Sequence, residues 1–217
     1  MITELEKKNT ERLAANASEC TVLLKKDGKF PLSPPCKVSL YGNGARQTVK
    51  GGTGSGDVSC RFYITAEQGL ERAGFTITTK EWMDQYDSVK KSWHADFIES
   101  ILKRAKEENI SPFIAGFGTV EKERDYEIPL NGDGDTAVYV LSRTSGEGND
   151  RGAVKGDVLL TNTEIRDILA AAAKYDKFIL VLNVGGVVDL SPVADYVGNI
   201  LLLSQLGSVT GDILADK

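Results

Sequence analysis

Ala137-Val138-Tyr139-Val140-Leu141 is an unbroken apolar run. A strand with one wet face alternates apolar and polar residues, whereas a strand buried on both faces does not. The same character returns at Phe178-Ile179-Leu180-Val181-Leu182. Between the two runs, Asn162 to Tyr175 carries a helical pattern. Apolar strands alternating with helices predict an α/β fold, with a mostly parallel sheet flanked by helices on both faces in a three-layer α/β/α sandwich.

The rest of the chain extends that reading in both directions. Strands are expected near 21–24, 37–41, 75–79, 136–142, 177–183 and 198–203. Helices are expected at 3–19, 66–73, 82–109, 162–175 and 208–216, with Gly74 closing the second of them as a C-cap. A short helix is expected near Ser191-Pro192, where Ser suits an N-cap and Pro the first helical position. Pro31, Pro34 and Pro35 keep their segment irregular. Residues 111–129 stay ambiguous and read as a loop that packs on a neighbour. The 217 residues are expected to form a single domain.

Composition narrows the function classes. The chain has 26 basic and 31 acidic residues, a formal net charge of −5. That balance, without a basic block or aromatics interleaved with basic residues, argues against nucleic acid as a partner. No stretch has the length and apolarity of a membrane span, and the charged N-terminus lacks the apolar core of a secretory signal. Three cysteines, Cys20, Cys36 and Cys60, form no close pair. They predict neither a disulfide framework nor a zinc site, and a reducing, cytoplasmic setting. With His94 as its single histidine, the chain cannot assemble a histidine-based triad or a multi-histidine metal site. His94 lies in a helical pattern beside Trp93 and reads as a packing or surface residue. No metal or cofactor is expected.

Two loops carry the candidate chemistry. Ser145-Gly146-Glu147-Gly148-Asn149-Asp150-Arg151 follows the apolar run at 137–141 and sets one carboxylate between two glycines. Neither neighbour has a side chain to shield it, so the acid is available to a polyhydroxylated ligand. The same pattern also describes an ordinary surface turn with a solvated Glu. Asp150 and Arg151 are expected to pair and brace this loop. The second loop, Lys50-Gly51-Gly52-Thr53-Gly54-Ser55-Gly56-Asp57, follows the strand at 37–41. It is not a Walker loop, because no Gly-Lys-Ser/Thr follows, and its spacing is not that of a dinucleotide fingerprint. It remains open to three readings: backbone amides meeting an anion, a flexible surface loop, or small residues that let a sugar lie against the backbone. In a parallel sheet, ligands bind outside the carboxyl ends of the strands, where both loops fall. Asp133 and Asp135, flanking Gly134, read as a turn rather than a calcium loop.

Taken in order, these segments resemble the second, α/β-sandwich domain of family 3 glycoside hydrolases, the β-glucosidase group. Thr21 to Leu32 is similar to the segment that opens that domain. Lys37 to Gly42 resembles its first strand, Gly51 to Asp57 its Gly-Gly-x-Gly-Ser-Gly-Asp loop, and Glu67 to Gly74 the helix that follows. Ser145 to Arg151 resembles its Ser-Gly-Glu-Gly-x-Asp-Arg loop. Phe178 to Gly186, followed by Val188-Asp189, resembles a later strand and turn. The likeness covers most of residues 10–216 and is least clear over 80–130.

The resemblance implies a retaining β-glycosidase acting through two carboxylates. Glu147 would be the general acid/base, and an aspartate nucleophile would sit on a separate (β/α)8 barrel that these 217 residues do not contain. It implies a sugar contact at Ser55; Gly54 and Gly146 are expected as further substrate contacts, and Asp150 and Arg151 as loop support. Its implied partners are a β-linked glucoside or oligosaccharide and the barrel. Met1 is expected to reflect a permuted order with the sandwich before the barrel, and the stop at Lys217 a fragment of a longer enzyme. Two alternatives stand beside it. One is a non-catalytic carbohydrate-binding or scaffold domain of the same fold. The other is a flavodoxin-like nucleotide-binding protein, disfavoured because the glycine loop opens no helix.

Overall fold

The computed structural model of the chain describes residues 2–145, 147, 148 and 150–216, with the backbone alone at Ser18 and Ser55. Six strands form one sheet: β1 (Val22–Lys25), β2 (Lys37–Tyr41), β3 (Thr76–Ile77), β4 (Thr136–Arg143), β5 (Lys177–Val184) and β6 (Ile200–Leu202), in the order β1-β6-β5-β4-β2-β3. The strands β3, β2, β4, β5 and β6 pair in parallel. The exception is β1, which runs antiparallel along β6 at the edge. Every residue of β4 is buried, as the apolar run predicts.

The helices are α1 (Glu4–Ala17), α2 (Ala66–Arg72), α3 (Lys80–Glu107), α4 (Pro112–Gly116), α5 (Asn162–Lys174) and α6 (Thr210–Ala215). Capping explains where several of them begin. Thr65 and Gln68 form a capping box on α2, and Thr161 and Glu164 form another on α5. Ser111 caps α4 with Pro112 in its first turn. Gly74 sits at a φ of +95° just past α2, as a C-cap glycine should.

The connection from β2 to β3 runs outward along the sheet in one direction, and that from β4 to β5 in the other. Both crossovers are right-handed by rule, so α2 and α5 cover opposite faces. On the α5 side, the rings of Tyr41, Trp82, Tyr86, Trp93, Tyr126 and Tyr175 pack at centroid distances of 5.2 to 6.4 Å. Trp82 is wholly buried at the centre of this cluster. The ambiguous segment 111–129 thus splits in two. Its first part forms α4, and its second brings Glu123, Tyr126 and Ile128 into the interior.

One expected element differs. Residues 191–196 form a run of turns rather than a helix. The Asp189 carboxylate, not Ser191, accepts the first free backbone N–H, at 2.9 Å. The bonds that follow, from Val193 and Ala194 to Leu190 and from Tyr196 to Val193, mix three- and four-residue spans and go no further. Among the described residues no helix is long and apolar enough to cross a membrane.

Candidate active site

Strand order reverses between β2 and β4. The chain leaves β2 for β3 on one side and resumes at β4 on the other, so a crevice opens at the carboxyl ends of this pair. Such a switch point is where parallel sheets bind ligands. The glycine loop leaves β2 and the Glu147 loop leaves β4, so both border the crevice.

Local chemistry fixes the floor. Gly42, at a φ of +90°, lets β2 end against β4, because a Cβ there would lie 2.4 Å from the Val140 carbonyl oxygen. Asn43 then extends the ladder with its side chain. Its Nδ2 donates to the Ser142 carbonyl at 3.0 Å, and its Oδ1 accepts from the Ser142 N–H at 2.7 Å.

Asn183, at the end of β5, holds the start of the glycine loop. Its Oδ1 accepts from the Val49 N–H at 2.6 Å, and its Nδ2 donates to the carbonyls of Val49 and Ser204 at 2.9 and 2.8 Å. Lys50 bridges the loop to its far end through Asp57 at 2.9 Å and the Val58 carbonyl at 2.7 Å.

The Glu147 loop is anchored at its other end. Arg151 donates through Nε to the Asp157 carboxylate at 2.7 Å and through Nη2 to the Asp157 carbonyl at 2.8 Å. Its Nη1 reaches the Val187 carbonyl at 2.8 Å. The Gly152 N–H gives Asp157 a further bond at 2.9 Å. Partial burial pushes the Asp157 carboxyl up, but the Gly152 and Arg151 donors outweigh it and leave it below the usual range. The expected Asp150–Arg151 pair is therefore corrected: the carboxylate that Arg151 grips is Asp157, six residues along the chain, and Asp150 stays exposed on the rim. A guanidinium fork needs an acceptor that faces it squarely, and Asp157 supplies both its side chain and its carbonyl.

The two loops meet in the middle. The Thr53 N–H and hydroxyl both donate to the Ser145 carbonyl, at 3.0 and 2.9 Å. Gly54, at a φ of +79°, lies directly against the acid: a Cβ there would sit 2.7 Å from the Glu147 Cβ and 2.5 Å from its Oε2. Glu147 itself is exposed. So Glu147 and Gly54 come together, as expected. Gly146 lies outside the described residues, as does the side chain of Ser55.

Beside this junction a cleft of about 720 Å³ runs from Thr53, Ser145 and Asp150 to Lys90, His94 and Glu121 on the far wall. His94, exposed on α3, meets Glu121 at 3.1 Å. Lys90 bridges the same Glu121 at 3.1 Å. On the cleft floor Glu123 is buried, and that burial raises its carboxyl despite the nearby Lys90. Tyr86 donates to Glu123 at 2.7 Å. Arg143 pairs with Glu164 at 2.6 Å in the interior. Most charges on these walls are thus matched by one another, which suits a neutral, hydroxyl-bearing ligand better than an ion. Among the described residues no three His, Cys, Asp or Glu side chains gather as metal ligands.

Sequence reasoning passed over Asp157, Glu123 and the pair of hydrogen bonds from Thr53 to Ser145. Thr53 stood inside the quoted glycine loop, so its place was visible. Its partner lies 92 residues away, and nothing local announces it.

Comparison with known proteins agrees with this fold. Residues 21–217 match the Glycosyl hydrolase family 3 C-terminal domain. The chain is 27% identical to β-glucosidase A of Butyrivibrio fibrisolvens over 97% of its own length and 27% of that protein's. It is 26% identical to a β-glucosidase of Ruminococcus albus over 93% of its length and 20% of that protein's. Among solved structures, β-glucosidase 3B of Thermotoga neapolitana in complex with α-D-glucose superposes with a TM-score of 0.73 at 31% identity, over 97% of this chain and 29% of that one. The chain therefore spans roughly a quarter of the length of the proteins it matches.

Proposed function

From the membership of this chain in the glycosyl hydrolase family 3 C-terminal domain family, we propose that it is the α/β-sandwich domain of a retaining β-glycosidase of the β-glucosidase type. In this reading residues 1–217 form one domain. They supply the general acid/base Glu147 to a (β/α)8 barrel that carries the aspartate nucleophile, and the substrate is a β-linked glucoside or oligosaccharide. The observation that carries the reading is the exposed Glu147 carboxylate seated on Gly54 at the switch point of the sheet.

The chemistry needs two carboxyl groups about 5–5.5 Å apart. The barrel's carboxylate attacks the anomeric carbon. The glycosidic C–O bond breaks, its electron pair goes to the leaving oxygen, and that oxygen takes the proton of Glu147. In the second step Glu147, now a carboxylate, removes a proton from water. The water oxygen bonds to the anomeric carbon and displaces the nucleophile as a carboxylate. Gly54 and its neighbours would let the sugar approach the backbone, with Ser55 and Gly146 as further contacts.

Two measurements test the proposal. The 217-residue chain alone should give no turnover of an aryl β-glucoside, and robust turnover would sink the two-domain assignment. Joined to a family 3 barrel, the Glu147→Gln variant should lose at least about a hundredfold in kcat/KM on an alkyl glucoside. It should lose far less on a dinitrophenyl glucoside, whose leaving group needs no proton. Equal losses on both would remove Glu147 from the acid/base role and favour a non-catalytic scaffold.

A further inference from the structure

The reading of Glu147 as acid/base leaves open what sets the carboxylate in place, and the geometry at the loop junction answers it. We infer that Thr53 is a positioning residue for Glu147: its N–H and hydroxyl clamp the Ser145 carbonyl and hold the acid's loop over Gly54. The inference rests on the proposed role of Glu147.

Each loop is anchored at the end away from the other. Asn183 and the Lys50–Asp57 bridge fix the glycine loop to β5 and to itself. The Arg151–Asp157 pair fixes the far side of the acid's loop. None of these ties spans the junction, and between them Glu147 sits among glycines, which impose little conformation of their own. The two bonds from Thr53 to one carbonyl, at 3.0 and 2.9 Å, do span it, two residues before the acid. The next residue, Gly54, then forms the surface on which the Glu147 side chain rests. Thr53 thus ties the acid's loop to the glycine loop at the point where Glu147 meets Gly54, beside the switch-point crevice. Proton transfer depends steeply on such placement, since the acid must stand within hydrogen-bond reach of the leaving oxygen.

The hydroxyl is the separable half of the clamp. Thr53→Val keeps the branched shape and the backbone bond but removes the hydroxyl donor, and Thr53→Ser retains that donor. Both are to be made in this chain joined to a family 3 barrel, with Glu147→Gln measured alongside. Thr53→Val should lower kcat/KM on an alkyl β-glucoside about tenfold, the rate equivalent of one hydrogen bond. On a dinitrophenyl β-glucoside it should change kcat/KM less than about twofold, because proton delivery is not needed there. Its pH profile on the alkyl glucoside should shift on the alkaline limb, and Thr53→Ser should restore both properties. Equal loss on the two substrates, no loss on either, or failure of serine to restore activity would overturn the inference. If Glu147→Gln itself fails to discriminate between the leaving groups, the acid/base reading falls. If it discriminates and Thr53→Val behaves as wild type, only the positioning role falls. A readout on the 217-residue chain alone covers the case in which the joined variant does not fold. The amide at position 53 should exchange about tenfold faster in Thr53→Val than in wild type, and unchanged protection there overturns the clamp.

Discussion

At the scale of single residues, the site is a set of matched donors and acceptors, and Asp157 shows how they act. Its carboxylate accepts from the Arg151 guanidinium and from the Gly152 N–H, and it sits below the usual range of an aspartate. A carboxyl depressed in the folded state adds stability above its unfolded value. That contribution is lost as the pH falls through the folded value. Wild type should therefore exceed Asp157→Asn by about 1.5–3 kcal/mol near neutral pH, the worth of hydrogen bonds to a charged group. The two stability curves should converge as the pH drops below about 3.8, the ordinary aspartate value. Urea titrations of both proteins across that range check the expectation, and parallel curves would show that the Asp157 charge contributes nothing. The sequence displayed Glu147 and Gly54 plainly because each sits in a short motif with a recognisable spacing. Asp157 was invisible in the same sequence, since an aspartate six residues past a loop arginine looks like any surface acid until the chain turns back.

Elements meet through glycine where α2 and α6 cross. A Cβ on Gly69 would lie 2.0 Å from the Gly211 carbonyl oxygen, and one on Gly211 would lie 1.9 Å from the Thr65 carbonyl oxygen. Both obstacles are backbone, so the helices themselves would have to separate. Helix propensity alone predicts that Gly69→Ala gains up to about 1 kcal/mol. The packing argument reverses that sign, and a loss of about 2–3 kcal/mol in chemical denaturation is expected. A stabilised Gly69→Ala would refute the close crossing. Element existence was largely legible: α3 and α5 show helical spacing, and β4 and β5 show unbroken apolar runs. The turns at 191–196 were not legible, because a Ser-Pro pair promises a helix start only if the serine side chain is the one that caps. Here Asp189 takes that part. The segment around Glu123 and Tyr126 was equally opaque, since its burial comes from the sheet and α5 rather than from any period of its own.

For the molecule as a whole, the sandwich and its mostly parallel sheet followed from the apolar strands, while strand order did not. No local pattern tells β1 to run antiparallel on β6, and its Val22, Leu23 and Leu24 are about half exposed. The weight of the fold lies instead in the aromatic layer around Trp82, between the sheet and α3 and α5. Trp82→Ala should cost about 3–5 kcal/mol. Phe117→Ser should stay within about 0.5 kcal/mol, because Phe117 is 54% exposed, near Gly148 of the acid's loop. Comparable losses in the two denaturation curves would mean that the core has been misplaced.

The bond between Thr53 and Ser145 closes a loop of 92 residues. Contacts of that span carry a large loop-closure cost, as does the pairing of β2 with β4, where Ser39 faces Ala137. A nascent or nicked chain can therefore carry the whole Ser145 to Arg151 segment with its carboxylate unseated. The seating of Glu147 therefore reports on completion of the long-range fold rather than on the local sequence of its loop.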